Sequence, residues 1–164
     1  MTISITDVHL GVRFFNLDDL ESVVFDIDGT LADLTHRRKW VQSKPKNWAA
    51  FEKNMHLDKP IQPIIEIAQK MEAHGIQVVF CSGRGSQNRK VTEDWLAEHV
   101  GFDSPLFMRK EKDYRSDYIV KKELLLEMYE MGISPDLAID DRDQVVQMWR
   151  EMKIDCVQVA EGDF

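Results

Sequence analysis

The segment VVFDIDGTLAD, residues 23–33, decides how the rest of this 164-residue chain is interpreted. Its first half is a run of apolar residues typical of a buried strand, and two aspartates follow, one residue apart, before a Gly-Thr pair. Asp26 and Asp28 would repel each other there, and burying a carboxylate is costly unless a positive charge accompanies it. The segment therefore predicts a buried strand that ends at a site where a counter-charge holds two acids together.

The composition is that of an ordinary globular protein, with 43% hydrophobic residues and a length that fits one domain with its own core. No apolar run approaches the ~20 residues that a membrane span needs, and the N-terminal sequence MTISITDVHLGVRFF lacks the features of a secretory signal. The two cysteines, Cys81 and Cys156, lie in apolar segments and indicate no disulfide framework. We therefore expect a single domain over residues 1–164 in the reducing cytoplasm, without membrane association or an obligate protein partner.

The formal net charge of −8 argues against charge-driven coating of nucleic acid. The charge is uneven, however. Between Leu31 and Lys46 five basic residues accompany one acid, and between Arg109 and Lys122 six basic residues accompany three acids. Each cluster by itself is typical of a solvated surface. A small site that binds one phosphate or one strand end remains compatible with both.

Five short apolar runs predict buried strands, because they are rich in Val, Ile and Phe and lack in-out alternation. They are Ser22–Ile27, Gln77–Cys81, Leu106–Met108, Leu137–Ile139 and Cys156–Val159. Strands that alternate with helical patterns predict an α/β, Rossmann-like, doubly wound and mostly parallel five-stranded sheet with helices on both faces. The exception is residues 31–59, where Trp40, Trp48 and Phe51 favour a small helical flap after the first strand over a loose loop.

Apolar stripes at helical spacing predict the sides of the helices that face the core. These stripes include Ile65, Ala68, Met71, Trp95, Val120, Leu124, Met128, Met131, Val145 and Trp149. Asp58 and Pro60 are interpreted as start signals of the helix that follows the flap. The first 20 residues are ambiguous, although Phe14, Phe15 and Leu17 suggest that they pack on the body.

Polar residues follow the predicted strands at the edge where parallel sheets bind ligands. They are Asp26-Ile27-Asp28-Gly29-Thr30, Cys81-Ser82-Gly83-Arg84-Gly85 and Asp140-Asp141-Arg142, with Asp117 and Lys121 at the start of the helix before the fourth strand. Mg²⁺ would resolve the repulsion among the acids, because it binds carboxylates together with water and phosphate oxygens. Asp26 can then attack phosphorus, while Asp28 protonates the leaving oxygen and later activates water. Thr30 and Ser82 offer hydroxyl donors to phosphate oxygens, and Lys121 neutralises phosphoryl charge.

The motifs Asp26-Ile27-Asp28-Gly29-Thr30, Ser82, Lys121 and Asp140-Asp141 stand in the order of the four motifs of the haloacid dehalogenase-like phosphohydrolases, which this sequence resembles. The resemblance implies a Rossmann-like sheet, Mg²⁺ and an aspartyl-phosphate intermediate.

A narrower resemblance covers Val23 to Phe164: the segments CSGRGS, SDYIVKKE, AIDDRDQVVQMWR and VQVAEGDF look like the 3′-phosphatase domain of phage-type polynucleotide kinase/phosphatase. It implies Asp26 as the nucleophile and Asp28 as the acid/base. The implied metal ligands are Asp26, Asp28, Asp140 and Asp141, and the implied substrate- or phosphate-binding residues are Thr30, Arg37, Ser82, Gly83, Arg84, Asp117 and Lys121. That family also carries a kinase domain with a Gly-Lys phosphate loop, and because no glycine precedes a lysine here, no kinase domain is expected.

The leading hypothesis is a Mg²⁺-dependent phosphomonoesterase that removes a 3′-phosphate from polynucleotide ends. A phosphatase for free nucleotides or another small phosphoester remains an alternative. A signalling receiver domain is an alternative of another class, with Asp28 as the discriminating feature, because a receiver has no acid/base residue two positions after its phosphorylated aspartate. The sequence leaves DNA versus RNA open.

Overall fold

The computed structural model describes residues 7–10 and 13–162 of the chain. A short antiparallel pair, β1 (Asp7–Leu10) and β2 (Arg13–Asn16), stands apart from the main sheet. Leu17 packs against the core, as the sequence suggested, whereas the side chains of Phe14 and Phe15 lie outside the described part of the chain.

The remaining elements alternate between strands and helices. In chain order they are β3 (Ser22–Phe25), β4 (Ala32–Asp33), α1 (Thr35–Gln42), α2 (Trp48–Lys53), β5 (Lys59–Pro60), α3 (Gln62–Ala73), β6 (Gln77–Gly85), α4 (Arg89–His99), β7 (Leu106–Arg109), α5 (Asp117–Glu130), β8 (Leu137–Asp140), α6 (Asp143–Glu151) and β9 (Asp155–Gln158).

The main sheet has the strand order β7-β6-β3-β8-β9, and every neighbouring pair is parallel. The chain adds β6 and β7 on one side of β3 and then crosses over to add β8 and β9 on the other side. The strand order therefore reverses at the carboxyl end of β3, which is where doubly wound sheets bind ligands. The predicted five-stranded α/β fold is confirmed.

Both faces of the sheet are covered, which explains the missing in-out alternation of its strands. Val23 and Phe25 of β3 join a core with α3 and α4, while Val24 points into a second core with α5 and α6. The first core also holds Ile65, Ala68, Met71, Trp95 and Leu96, and the second holds Val120, Leu124, Met128, Val145 and Trp149. The apolar stripes thus face the sheet as predicted, with the exception of Met131, which is 68% exposed because α5 ends one residue before it.

Most strand ends differ by one or two residues from the sequence-based prediction, and two larger differences affect the site. Strand β6 continues to Gly85 rather than ending at Cys81, because its register with β7 shifts between Ser82 and Gly85. Helix α3 begins at Gln62, so the interpretation of Asp58 and Pro60 as its start signals is wrong; Pro60 belongs to β5.

Residues 31–59 form the helical flap that the sequence predicted. Helices α1 and α2 lie between β4 and β5, which pair antiparallel with Ala32 opposite Pro60 and Asp33 opposite Lys59. This pairing closes the base of the flap directly beside the carboxyl end of β3. Both cysteines are free, and none of the helices in the described part of the chain has the length and apolar character needed to cross a bilayer.

Candidate active site

Three charged side chains, Asp26, Lys121 and Asp140, meet at the carboxyl end of β3. Asp26 directly follows β3, and its backbone N–H donates to the carbonyl of Ile139 in β8 (2.9 Å). Lys121 of α5 donates from Nζ to Asp26 Oδ1 (2.6 Å) and to Asp140 Oδ2 (2.8 Å), and all three side chains are buried. The structure thereby brings together three of the motifs that the sequence analysis selected.

Asp140 is the most firmly held member of this group. Its Oδ2 also accepts from the Trp149 indole (3.2 Å), and its Oδ1 accepts from the backbone N–H groups of Asp141 (3.0 Å) and Arg142 (3.2 Å). Burial by itself lowers the pKa of Lys121. The pKa nevertheless lies well above its ordinary value, because the carboxylates of Asp140 and Asp26 favour the ammonium form. Lys121 is therefore a fixed positive charge beside the Asp26 carboxylate.

The same cluster has fewer positive than negative charges. Oxygens of Asp26, Asp140 and Asp141 lie within 4.8 Å of one another, against the single ammonium of Lys121. Within the described residues, Asp26 Oδ2 and Asp141 Oδ2 are buried without a hydrogen-bond partner. Burial raises the pKa of Asp26 well above its ordinary value, and burial followed by the charge of Asp140 raises the pKa of Asp141 to about 6. Three carboxylates and one ammonium leave two negative charges, which matches a divalent, oxygen-binding cation such as Mg²⁺.

The turn after Asp28 requires glycine. Gly29 has a φ of +96°, and a Cβ atom placed on it would lie 2.1 Å from Asp141 Oδ2. The next residue, Thr30, is fully buried, and its hydroxyl has no hydrogen-bond partner among the described residues. Ser82 is also fully buried, and its hydroxyl accepts from the backbone N–H of Arg84 (3.2 Å). Thr30 thus lies in the turn between β3 and β4, and Ser82 lies in β6 where its register with β7 begins to shift. The sequence predicted both hydroxyls as donors for a phosphate.

Asp28 belongs to a second group of charges. Its Oδ1 accepts from Arg37 Nη2 (2.7 Å) and from Arg84 Nη2 (2.6 Å) and Nε (3.0 Å). Both guanidinium groups also donate to Asp58, Arg37 through Nε and Nη2 (2.7 Å each) and Arg84 through Nη2 (2.8 Å). We call Asp28, Arg37, Asp58 and Arg84 the arginine clamp. Two carboxylates balance two guanidinium groups in this clamp, so it needs no metal ion.

The side chain of Asp28 is held in the clamp and is not part of the three-carboxylate cluster, so its role as a metal ligand stays a prediction. Burial by itself raises the pKa of Asp28. The pKa nevertheless lies below its ordinary value, because the guanidinium groups of Arg84 and Arg37 favour the carboxylate. Asp28 is consequently ionised in this arrangement.

Asp58 is the site residue that sequence reasoning missed. Its side chain is fully buried, His36 Nε2 lies 2.9 Å from Oδ1, and its backbone carbonyl accepts from the Trp95 indole (2.8 Å). The sequence carries no signal of this role, because Asp58 lies 21 residues after Arg37 and 26 residues before Arg84, and only the folded flap brings the three together.

Asp117 and Gly83 connect α5 to the end of β6. Asp117 Oδ1 accepts from Arg109 Nη2 (3.0 Å), and Arg109 Nε donates to the carbonyl of Gly83 (2.7 Å). A Cβ atom at Gly83 would lie 2.3 Å from Asp117 Oδ1. Asp117 Oδ2 is 4.0 Å from Lys121 Nζ, so Asp117 is bound chiefly to Arg109 and only loosely paired with the lysine.

Comparison with solved structures finds the same fold in a haloacid dehalogenase-like hydrolase from Bacteroides fragilis, with a TM-score of 0.61 and 15% identity, over 89% of this chain and 90% of that one. A class C acid phosphatase from Bacillus anthracis, solved with tungstate bound, shares the fold with a TM-score of 0.63 and 17% identity, over 89% of this chain and 69% of that one.

A match to one family covers most of the chain. Residues 20–164 match the polynucleotide kinase PNKP phosphatase domain, and the chain belongs to this family. A chain of the Pnkp1/Rnl/Hen1 complex is 34% identical with a TM-score of 0.73, over 98% of this chain and 51% of that one. A protein of Autographa californica nuclear polyhedrosis virus described as a bifunctional polynucleotide kinase/RNA ligase is 28% identical over 138 residues, 83% of this chain and 19% of the viral protein.

This chain therefore spans about half of the first relative and about a fifth of the second. The kinase and ligase activities in the viral protein's description belong to that protein. Family membership identifies the present chain as a phosphatase-type hydrolase domain and removes the receiver-domain alternative.

Proposed function

We propose that this chain is a Mg²⁺-dependent polynucleotide 3′-phosphatase that works through a phosphorylated Asp26. One observation carries the proposal: a carboxylate cluster with an excess of two negative charges lies at the carboxyl end of β3, directly beside a charge-balanced arginine clamp. The carboxylate cluster can bind a dication and supply the nucleophile, and the guanidinium groups of the arginine clamp can bind a phosphate anion.

Asp26, Asp140 and Asp141 would hold the metal ion, through oxygens that include the two without hydrogen-bond partners. When bound, the ion supplies a Lewis acid that neutralises charge on the phosphoryl oxygens. Thr30 Oγ1 and Arg37 Nη1 are buried donors without partners among the described residues, so both are available to phosphate oxygens.

The proposed reaction has two displacements at phosphorus. A carboxylate oxygen of Asp26 bonds to phosphorus while the bond from phosphorus to the 3′ oxygen breaks, and Asp28 gives its proton to that oxygen. Water then attacks the phosphorus of phospho-Asp26 and passes a proton to Asp28. Inorganic phosphate leaves and the Asp26 carboxylate is restored. Lys121 holds Asp26 in place and stabilises the negative charge of the transferred group.

The protonation of Asp28 depends on the clamp. Arg37 and Arg84 stabilise its carboxylate form, which suits a base but not an acid. A phosphoryl dianion competes for the same two guanidinium groups. When they turn toward the substrate, the pKa of Asp28 rises and the residue can carry the proton that the first displacement needs. The two arginines would thus bind the phosphate and prepare the acid in one movement.

The polynucleotide 3′ end is proposed as the substrate because of the family to which the chain belongs. Since the 34% identical relative was solved in a Pnkp1/Rnl/Hen1 complex, we also propose that this chain can act within an assembly, which the sequence-based expectation did not include. A cytoplasmic location stays a prediction.

The test is phosphate release from a 3′-phosphorylated oligonucleotide, a nucleoside 3′-monophosphate and a nucleoside 5′-monophosphate, with Mg²⁺ or with a chelator. We expect turnover of the oligonucleotide with Mg²⁺, and a loss of at least about 10⁴-fold in the Asp26→Asn variant because the nucleophile is removed. Asp94→Asn is the matched control, because Asp94 is exposed on α4.

Retained turnover in Asp26→Asn would show that Asp26 is not the nucleophile. Full activity in chelator would show that the reaction does not need a metal ion. Equal or better turnover of both mononucleotides would replace the polynucleotide substrate with free nucleotides.

A further inference from the structure

The flap differs in charge from the rest of the protein. Residues 35–53 contain six basic residues and one acid, whereas the whole chain has a formal net charge of −8. Arg37 is buried in the arginine clamp, but Lys39, Lys44 and Lys46 are exposed. None of these three lysines forms an ion pair with any residue that the structure describes. Their positive charge is therefore available to an anionic partner.

The other basic cluster of the sequence does not offer the same surface. Its members pair with acids of the protein: Arg109 with Asp117, Lys110 with Glu127, Lys112 with Glu111, and Arg115 with Asp113 and Glu123. These pairs neutralise most of the charge between Arg109 and Lys122. Lys39, Lys44 and Lys46 of the flap, in contrast, have no ion-pair partner among the described residues.

Two tryptophans accompany the lysines of the flap. Lys39 Nζ lies 5.1 Å from the ring centroid of Trp40, and Lys46 Nζ lies 5.5 Å from that of Trp48. The backbone N–H of Asn47 donates to the carbonyl of Trp40 (2.7 Å), so the two lysine–tryptophan pairs belong to neighbouring stretches of backbone. Trp48 is 54% exposed, so much of its ring is open to a binding partner.

A continuous series of contacts connects Trp48 to the candidate active site. The rings of Trp48 and Phe51 meet edge to face with centroids 5.8 Å apart, and Arg37 Cζ lies 4.1 Å from the Phe51 ring centroid. Arg37 in turn donates to Asp28 (2.7 Å). Trp48 is thus separated from the arginine clamp by a single ring. A chain that leaves the clamp would meet Trp48 close to its terminal phosphate.

We propose that Lys39, Trp40, Lys44, Lys46 and Trp48, here called the flap surface, bind the single-stranded segment next to the 3′-terminal phosphate. Trp48 stacks on a base of that segment, and the lysines contact its backbone phosphates. Exposed aromatic rings beside positive charges bind single strands in this way, whereas bases in a duplex are already stacked on each other. The proposal rests on the proposed function in one respect, that the clamp receives the terminal phosphate.

The test compares two substrates in the full chain with Mg²⁺: a 3′-phosphorylated single strand of about ten nucleotides, within the span of a single-strand binding site, and a nucleoside 3′-monophosphate. Trp48→Ala is expected to raise KM for the strand by at least about fivefold, because one base stack is lost, and to leave kcat/KM for the mononucleotide unchanged. Replacing Lys39, Lys44 and Lys46 together by Gln should flatten the dependence of log KM on log salt by about 2 for the strand.

The matched controls are Tyr114→Ala, which removes a 91% exposed aromatic ring outside the flap, and Lys90→Gln, which removes an exposed lysine of α4. Neither should change KM for the strand. Thermal unfolding of each variant checks that the fold is intact.

If Trp48→Ala and the triple lysine variant both keep the wild-type KM and salt dependence for the strand, the flap surface is not the binding site, while the phosphatase assignment stands. If Trp48→Ala lowers kcat/KM equally for the strand and for the mononucleotide, the residue acts on the catalytic site and the proposal is also overturned. Failure of the wild type to release phosphate from either substrate would instead refute the proposed function. Binding of an unphosphorylated strand to the Asp26→Asn variant, with and without Trp48→Ala, would still test the flap surface in that event.

Discussion

Replacing Asp141 by asparagine is expected to stabilise the metal-free protein while it abolishes phosphatase activity. Burial and the charge of Asp140 raise the pKa of Asp141 from an ordinary 3.8 to about 6, and its Oδ2 has no hydrogen-bond partner among the described residues. A raised pKa means that the folded protein holds the ionised carboxylate less favourably than the unfolded chain does. The difference between the two pKa values corresponds to about 3 kcal/mol once the carboxylate is ionised.

The sign of this effect depends on pH. At about pH 3, below both pKa values, Asp141 is protonated in the folded and unfolded states, and it contributes no penalty. The penalty grows as the pH rises from the ordinary pKa of 3.8 to the folded pKa of about 6, and it is complete above that value. Asparagine cannot ionise. In chelator at about pH 8 the free energy of unfolding of Asp141→Asn should therefore exceed that of the wild type by up to about 3 kcal/mol, which is roughly 6–12 °C in Tm for a chain of this size.

The assay is urea and thermal unfolding of metal-free wild type, Asp141→Asn and the control Asp94→Asn across this pH range. Added Mg²⁺ should then stabilise the wild type and not Asp141→Asn, because only the wild type keeps the full set of carboxylates. The reasoning is refuted if metal-free Asp141→Asn is less stable than the wild type at the higher pH, or if the difference between them does not change with pH.

Two further substitutions test the backbone and the arginine clamp. Gly29→Ala should lower the free energy of unfolding more than Gly132→Ala does. Both glycines have a positive φ, which destabilises alanine by about 1–2 kcal/mol. Only the Cβ at residue 29 would collide, 2.1 Å from Asp141 Oδ2, whereas nothing lies within 4 Å of a Cβ at residue 132. Urea unfolding of the pair measures this difference, and equal costs would contradict the collision. Asp58→Ala should lower the free energy of unfolding by about 3–5 kcal/mol, because two buried guanidinium groups lose a shared carboxylate; a loss below about 1 kcal/mol would show that the clamp does not depend on it.

The sequence alone was sufficient to predict the sheet and the convergence of its acids. Apolar runs without alternation are buried on both faces, and the carboxyl ends of parallel strands share one edge. That rule places Asp26 beside Asp140 and Asp141, although more than 100 residues separate them, and the structure has them together. The helical flap was also predictable, because a segment with Trp40, Trp48 and Phe51 needs packing of its own.

The division of the charges into two groups was not predictable. The resemblance implied Asp28 as a metal ligand beside Asp26, whereas in the structure its Oδ1 is bound by Arg37 and Arg84. Asp58 was interpreted as a helix start because its position along the chain fitted one. Which acid meets which base depends on how closely the flap approaches the end of β6, and no periodicity in the sequence reports that distance.

The sequence by itself therefore determined which segments form the sheet and the type of chemistry at their ends. The periodicity of apolar residues is a local property of the chain, and parallel strands have their carboxyl ends at one edge of the sheet. Only the tertiary structure decided which carboxylates are balanced by arginine and which are left with an excess of negative charge. The physical reason is that Coulomb and hydrogen-bond energies depend on distances of a few ångströms between side chains, and those distances exist only once the flap has packed against the sheet.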